Sequence, residues 1–375
     1  MRQASNNNIL FYTSKKNGCD FYRIQQPGRK MVEHQIMPSA VARDMEPAEL
    51  QIWVDKAGAI FSQNLENERF LDWMVDEQKN GRKMIVDYDD DPFNVSPFNP
   101  AYEKRGLAEV KFYQDDGSLL GEWKDGVDGF IMEENRKRLQ TFCRALHQAD
   151  MVTTTTSVLK DSFSRYSYRV KQIRNMVDLN VWKPLSLVKD EWTRIVYQGG
   201  WSHYSDFLEV KEALIEIFKA YPKVKLVVMG QWYPGILKGY EDRIEVHDWV
   251  DIELYPWVFK TLNADIGICP LENTKFNAAK SEIKWVEYSA LKIPTIASAV
   301  RPYQVAIDEG KTGFLSRNAK DWVENLSKLI EGKELREDMG EEARKRIKDI
   351  YDVDKHMGIY KNAFLGCFGR ELVIA

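Results

Sequence analysis

The feature that most constrains this sequence is an alternation of short apolar runs with amphipathic stretches, which occurs twice along the chain. In the first half, the strand-like runs are Ile9–Thr13, Ala59–Gln63, Met84–Asp87, Met151–Thr155 and Val170–Ile173, and the helical patterns are Asn67–Gln78 and Glu133–His147. Short apolar runs that alternate with helical spacing are typical of a parallel sheet covered by helices. The first half therefore predicts an α/β domain.

The second half repeats the alternation more clearly. Its apolar runs are Arg194–Gln198, Lys225–Gly230, Arg243–Trp249, Ala264–Leu271 and Ile293–Ser298, and its helical stretches are Ser205–Tyr221, Glu253–Leu262 and Ser281–Leu291. Because 375 residues are too many for one ordinary core, we predict two doubly wound α/β domains that face each other across a cleft. We place them at residues 1–180 and 190–353, with a linker at Met176–Trp192. The terminal segment 354–375 is expected to return and brace the first domain.

Composition excludes several classes of protein. Hydrophobic residues make up 44% of the chain, and no apolar run approaches the roughly 20 residues of a transmembrane helix. The N-terminus has no apolar segment followed by a small-residue cleavage site, so we expect a cytoplasmic protein. The cysteines show no C-x-x-C spacing, and the net charge of −4 gives no general attraction to nucleic acid or anionic lipid. We predict neither disulfides nor a zinc site.

Between about Pro92 and Phe130 the alternation gives way to Pro, Asn, Gly and charged residues. A connection of this length inside a compact domain is usually functional or mobile. We therefore predict a loop there, beside the cleft.

Two glycines follow the first strand of the second half. Gly199 and Gly200 precede a helix that begins near Ser205, and His203 lies in the intervening turn. Backbone amides freed by two glycines at a helix N-terminus can bind a phosphate. A tight turn with nothing bound has the same pattern, so the glycines alone leave both interpretations open.

A stronger signal lies in Phe276–Tyr288. On a helix, Lys280, Lys284 and Glu287 recur at i, i+4 and i+7 and share one face, with Lys280 and Ser281 at the opening turn. Two cations and a hydroxyl beside a helix N-terminus suit a diphosphate, and a carboxylate one turn further on can accept both hydroxyls of a ribose. The alternative is an exposed helix face that carries a Lys–Glu pair.

This segment resembles the donor-binding helix of GT-B glycosyltransferases related to family 4. The family pattern is E-x7-E followed by a small-residue, G-x-P strand start, and Glu287 with Ile293–Ile296 matches its second half. Asn175–Asp178 resembles the N-x-x-D of the family's domain junction, and Gly310–Leu315 resembles its G-x-T-G-F-L loop. The resemblance implies the GT-B architecture, in which two Rossmann-like domains face each other. Residues 1–180, with the loop between Pro92 and Phe130, would form the acceptor-side domain, and residues 190–353 would form the nucleotide-sugar donor domain.

The sequence departs from the family at three positions. The family's first Glu falls at Ala279, and the Arg and Lys that commonly follow its first glycine fall at Gly200 and Ser205. The chain is similar instead to a subgroup with a GG-x-x-H-x-x-D opening and an F-N-x-x-K-S-x-x-K-x-x-E-Y helix. The resemblance then implies that Lys280 and Lys284 supply the missing positive charge.

The resemblance also implies a role for each candidate residue. The catalytic candidates are His203, Lys280 and Lys284, with His203 reaching the phosphate or the leaving group. The donor-binding candidates are Gly199, Gly200, Ser281 and Glu287, with Glu287 on the donor ribose. The candidates for the cleft or acceptor side are Gly18, Arg23, Asp89 and Asp91, because GT-B enzymes place a glycine-containing loop after the opening strand.

The acidic run Asp87–Asp91 keeps three interpretations. A strand followed by D-x-D is also how GT-A glycosyltransferases hold a divalent metal, and an acidic run can simply cap a loop. GT-A enzymes lack a second complete βα domain with a donor helix of this kind. We therefore expect the aspartates to line the cleft and face acceptor or sugar, with no metal.

The resemblance implies a hexosyltransferase-like enzyme that takes a sugar, with retention, from a UDP- or GDP-sugar to an acceptor hydroxyl, with no cofactor. The acceptor stays open among glycan, lipid-linked sugar, protein, small molecule and modified nucleic acid base. One alternative is a nucleotide-sugar epimerase of the same architecture. Another is a non-catalytic nucleotide-sugar-binding protein, a function consistent with the absence of the family's first Glu.

Overall fold

The computed structural model describes residues 8–13, 17–37, 39–43, 45–63, 67–114 and 116–369. Within these residues the chain forms two six-stranded parallel sheets and one two-stranded antiparallel hairpin. This is the α/β architecture that the repeated alternation predicts. Residues 1–7 of the first predicted domain and residues 370–375 of the terminal segment lie outside the described residues.

The first domain is built on a sheet with the strand order β2-β1-β3-β4-β7-β8. The strands of this half are β1 (Ile9–Thr13), β2 (Ser39–Arg43), β3 (Ala59–Ser62), β4 (Lys83–Asp87), β5 (Val110–Tyr113), β6 (Leu119–Trp123), β7 (Met151–Thr154) and β8 (Val170–Gln172). The helices are α1 (Gly18–Asp20), α2 (Gln26–Glu33), α3 (Pro47–Lys56), α4 (Glu68–Lys79), α5 (Tyr102–Arg105), α6 (Met132–Gln148) and α7 (Ser157–Phe163). A π-helical turn, Phe21–Gln25, makes α1 and α2 continuous. Strand β2 and helices α1, α2, α3 and α7 are additions to the predicted elements.

The second sheet has the order β11-β10-β9-β12-β13-β14, the doubly wound arrangement in which the order reverses beside β9. Its strands are β9 (Thr193–Gly199), β10 (Val224–Gly230), β11 (Ile244–His247), β12 (Ile266–Cys269), β13 (Thr295–Ser298) and β14 (Phe314–Ser316). The helices that follow β9 are α8 (Tyr204–Ala220), α9 (Tyr255–Phe259), α10 (Lys275–Ala278), α11 (Ile283–Ala290), α12 (Arg301–Ala306), α13 (Ala319–Glu331), α14 (Lys333–Ile350) and α15 (Val353–Cys367).

Helix α15 lies against the first domain, although it follows the second in sequence. Phe364 is fully buried there, with its ring 5.8 Å from that of Phe11 and 5.4 Å from that of Phe61. The start of α15 is paired with the interdomain linker. The amide of Val177 donates to the carbonyl of Tyr351, and the carbonyl of Val177 accepts from the amide of Val353. Burial of these aromatic rings explains why the terminal segment returns to the first domain.

The stretch from Pro92 to Phe130, predicted as a loop, contains helix α5 and the β5–β6 hairpin. Stacked aromatic pairs support it, with ring centroids 6.0 Å apart for Phe112 and Trp123. Its small apolar cluster also buries Phe276 from the second domain. Aromatic packing, which the turn-rich composition obscured, therefore orders this segment and connects it to the other domain.

Candidate active site

A cavity of about 520 Å³ lies between the domains, beyond the carboxyl ends of β1, β4, β9 and β12. Loops that follow strands at a topological switch point of a doubly wound sheet meet in this way. The predicted site residues that line it are Gly18, Asp89, His203, Lys280, Ser281, Lys284 and Glu287. Arg23, Asp91, Gly199 and Gly200 lie outside its lining.

The two glycines shape the turn that brings His203 to the cavity. Gly199 ends β9, and a Cβ there would lie 2.4 Å from the hydroxyl oxygen of Tyr197, so packing requires glycine. Gly200 precedes a 3₁₀ turn that ends at His203, and its carbonyl accepts a hydrogen bond from Tyr233 at 2.8 Å. Helix α8 then begins at Tyr204, one residue before the predicted start.

His203 is held by a carboxylate of its own domain. Its Nδ1 lies 2.6 Å from Oδ2 of Asp206, and its side chain is 14% exposed. Burial and the nearby ammonium of Lys284 lower the pKa of His203 to about 4, although Asp206 opposes this change. The imidazole is therefore neutral at pH 7 in this structure.

Lys284 presents a cation without a hydrogen-bond partner. It lies on α11 with 8% of its surface exposed, and its Nζ donates no hydrogen bond to the residues described, although it lies 5.5 Å from the ring centroid of Tyr197. Burial lowers the pKa of Lys284, while Asp206 opposes the shift. A nearly buried ammonium that lacks a partner is unfavourable, so this atom marks the position where an anion would be most stabilised.

Lys280 is arranged differently. Its Nζ lies 3.3 Å from Oδ1 of Asp90, a residue of the first domain, and 4.5 Å from the ring centroid of Phe276. Burial alone would raise the pKa of Asp90, but Lys280 and Arg105 hold it below its ordinary value. The positive charge of Lys280 is thus already compensated across the cleft.

Asp89 and Asp91 occupy different surroundings. Asp89 lines the cavity, and loss of hydration together with the charge of Asp90 raises its pKa to about 6. Asp91 is buried and accepts hydrogen bonds from the amide of Phe93 and the side chain of Asn94. Asp91 therefore caps its own loop and does not line the cleft as expected.

Arg23 lies beneath the cavity and not on its surface. The side chain is fully buried and makes a bidentate ion pair with Asp87, with contacts of 2.6 and 3.0 Å. It also donates to Oδ1 of Asn175, whose Nδ2 donates to Ser281 at 2.9 Å. Arg23 is thus a structural support for the domain junction that positions Ser281, which corrects its assignment to the open cleft.

Glu287 sits at the centre of a hydrogen-bonded group on α11. Tyr22 of the first domain donates to Oε1 at 2.6 Å, and Tyr255 and Gln198 donate to Oε2 at 3.0 and 3.2 Å. Burial raises the pKa of Glu287 to about 7, although the two tyrosine hydroxyls oppose this change. Both carboxylate oxygens therefore already have partners in the place proposed for the ribose.

The donor segment is not one continuous helix. Helix α10 ends at Ala278 and α11 begins at Ile283, so Lys280 and Ser281 lie in the connection before the helix. Ala279 is fully buried against the first-domain core, and its carbonyl accepts from Thr156. Position 279, where the family's first Glu falls, is therefore buried against the first domain and does not line the cavity.

Several site residues carried little signal in the sequence. Asp206 stands in the G-G-x-x-H-x-x-D pattern and Tyr22 in the segment that follows β1, so these two were within reach of motif reasoning. Asp90 belongs to the acidic run that was expected to line the cleft, whereas Tyr255 and Gln198 are brought to the cavity by the fold alone.

Two structural features are absent from the described ranges of the chain. No cluster of three or more His, Cys, Asp or Glu side chains among those residues has the geometry to hold a metal ion. None of the helices in the same ranges combines the length and apolar character that crossing a bilayer requires.

Residues 188–346 match the family model described as glycosyl transferases group 1. This match covers most of the second domain. Trehalose synthase from Thermococcus litoralis is 33% identical over 85 residues, or 23% of this chain and 19% of that protein. Trehalose synthase from Pyrococcus horikoshii is 36% identical over 67 residues, or 18% of this chain and 16% of that protein. The chain thus aligns with less than a fifth of the length of these curated relatives.

Solved structures extend the similarity to both domains. Sucrose-phosphate synthase from Thermosynechococcus elongatus superposes with a TM-score of 0.63 at 15% identity, covering 97% of this chain and 100% of that chain. Anabaena HepE in complex with UDP and glucose superposes with a TM-score of 0.60 at 12% identity, covering 93% and 96%. At such identities the likeness establishes the fold, which is GT-B, as the sequence predicted.

Proposed function

We propose that this protein is a glycosyltransferase that transfers a sugar, with retention, from a UDP- or GDP-sugar to an acceptor hydroxyl. The observation that carries the proposal is the ammonium of Lys284, which has no hydrogen-bond partner among the described residues and lines a cavity in the region that matches the glycosyl transferases group 1 model. A diphosphate at the end of β9 would provide the missing anion. The Anabaena structure with UDP and glucose supports a UDP-type donor.

In this reaction the protein contributes mainly by electrostatic stabilisation of the leaving group. The bond between the anomeric carbon and the diphosphate breaks while the acceptor oxygen bonds to the same face of that carbon, and the acceptor proton passes to the leaving group. Charge that develops on the leaving diphosphate is stabilised by Lys284, by His203 and by the hydroxyl of Ser281. Groups fixed in place before the reaction stabilise such charge without reorganisation, and no metal is required by this arrangement.

The first domain would supply the acceptor side. Asp89 and Asp90 reach the cavity opposite α11, where their carboxylates can accept hydrogen bonds from hydroxyls of the acceptor or of the donor sugar. Closure of the two domains over the donor would exclude water and limit its hydrolysis. Ala279 favours one competing function, a nucleotide-sugar-binding protein without turnover, because no carboxylate stands at that position.

Product analysis separates the candidate functions. The protein is incubated with a panel of UDP- and GDP-sugars and an acceptor array, and the nucleotides are resolved by chromatography. We expect release of UDP or GDP together with a new glycoside, and loss of both in Lys284→Met. A new nucleotide sugar without acceptor would identify an epimerase, and binding without consumption of any donor would identify a binding protein.

A further inference from the structure

Asp206 is a buried carboxylate to which the proposed reaction gives no role. It lies in the first turn of α8 and is 2% exposed. Its Oδ1 accepts hydrogen bonds from the amide of Glu272 at 2.9 Å and from Nδ2 of Asn277 at 2.7 Å, and its Oδ2 faces His203. Burial would raise the pKa of Asp206, but His203 and the Glu272 amide keep it below its ordinary value. The carboxylate is therefore charged and fixed.

This arrangement decides which nitrogen of His203 carries the proton. A carboxylate can only accept, so the Nδ1 that lies 2.6 Å from Asp206 must donate. In the neutral ring Nε2 is then unprotonated, and it is the nitrogen left for the cavity that His203 lines. An unprotonated nitrogen and a phosphate oxygen are both acceptors. His203 can therefore bond a diphosphate only after Nε2 has gained a proton.

Burial and two nearby lysine ammonium groups oppose that proton. Lys284 and Lys280 face the ring from the donor segment and disfavour a third cation. Asp206 from α8 and Asp90 from the first domain favour it, and the hydroxyl of Tyr233, which follows β10, donates to the carbonyl of Gly200 before the turn. Two negative charges of a diphosphate placed beside the lysines would cancel their repulsion.

We propose that Asp206 is a positioning residue that makes His203 take up a proton when the diphosphate of the donor binds. The inference rests on the proposed function and extends it. The proton comes from solvent, bonds to Nε2 and is donated in a hydrogen bond to a phosphate oxygen, while Asp206 accepts from Nδ1. The imidazolium then adds a positive charge beside Lys284, and release of the nucleoside diphosphate returns the proton to solvent.

Calorimetry with UDP-glucose, and in parallel with GDP-mannose, measures how many protons are taken up when the donor binds. The diphosphate of a nucleotide sugar has no group that titrates near neutral pH, so any proton taken up binds to the protein. Titrations at pH 7 in two buffers of different ionisation enthalpy should give an uptake of up to about one proton per site. His203→Asn should abolish the uptake, and Asp206→Asn should reduce it and weaken binding by about tenfold. His247→Asn is the matched control, because His247 pairs with Glu245 at 2.7 Å on β11 outside the cavity lining.

Nitrogen-15 spectra of the five imidazoles supply a second readout, with His203→Asn assigning the resonance. We expect the Nδ1–H tautomer in the free protein and the imidazolium with nucleotide sugar bound. Binding without proton uptake, or uptake that persists in His203→Asn, overturns this inference and leaves the proposed function intact. If no nucleotide sugar of either type binds the parent protein, both proposals fail.

Discussion

The two walls of the interdomain cavity hold their polar groups in different ways. On the second-domain wall, His203 is fixed by Asp206 of the same domain, and Lys284 has no hydrogen-bond partner among the described residues. On the first-domain wall, polar side chains reach across the cleft, as Tyr22 does to the carboxylate of Glu287. The difference indicates that the second-domain wall leaves polar groups available to a ligand. A side chain of the first domain, Tyr22, occupies part of the position where that ligand would bind.

The largest expected effect separates the two lysines of the second-domain wall. Lys284→Met removes the unpartnered charge and should lower kcat by roughly 10²–10³, as loss of one preorganised donor does elsewhere. Lys280→Met should lower kcat by only about tenfold, because Asp90 already compensates that charge. Steady-state kinetics of both variants with a saturating donor measure the difference. Equal losses would mean that the ion pair with Asp90 opens when the donor binds.

The pH dependence of stability tests the burial of Glu287. Its pKa is about 7 in the folded protein and near 4.5 when unfolded, so folding favours the protonated form. The stability this gives is complete below pH 4.5 and is lost as pH rises through 7, a change of about 3 kcal/mol at 1.36 kcal/mol per pKa unit. Glu287→Gln should lack this component in denaturant titrations at pH 5 and 8. Parallel curves for the two proteins would contradict the raised pKa.

Loss of the Glu287 carboxylate should also weaken the donor. Glu287→Ala removes the acceptor proposed for the ribose hydroxyls and should cost on the order of 1–3 kcal/mol in nucleotide-sugar binding. Calorimetric titration of the folded variant measures it, with circular dichroism as the control for folding. Unchanged affinity would show that the ribose lies elsewhere.

Tyr22→Phe tests whether the first domain competes with the donor. Without its hydroxyl the contact at 2.6 Å is lost, so the ribose no longer has to displace it and affinity should rise by about 2–10-fold, the value of one hydrogen bond. Tyr255→Phe is the matched control, because Tyr255 donates to the same carboxylate from within the second domain. A gain in both variants, or in neither, would remove the distinction between the two walls.

The smallest expected effect is that of a chelator. If lysines and His203 neutralise the diphosphate, activity in excess EDTA should equal that without it. Complete loss that Mn²⁺ or Mg²⁺ restores would instead make the run from Asp87 to Asp91 a ligand set. That result would mean that a metal ion at the first-domain wall, and not the lysines of the second-domain wall, neutralises the diphosphate.

The sequence by itself determined the two doubly wound domains, because strands buried in parallel sheets are apolar runs that helical spacing separates. It also indicated that Lys284 and Glu287 lie together, because residues one helical turn apart share a helix face, and both line the cavity. Strand β2 and the hairpin were missed, since a short mixed strand and a turn-rich segment gain their order from packing against other elements.

Only the tertiary structure decided which of the two lysine ammonium groups has a carboxylate partner and which has no hydrogen-bond partner among the described residues. Lys280 and Lys284 look alike in the sequence, yet Asp90 lies 190 residues from Lys280 along the chain and 3.3 Å from it in space. Tyr22 and Glu287 are separated by 265 residues and joined at 2.6 Å. Pairing and burial set the energy of a charge, and both depend on neighbours that the fold brings together from distant parts of the chain.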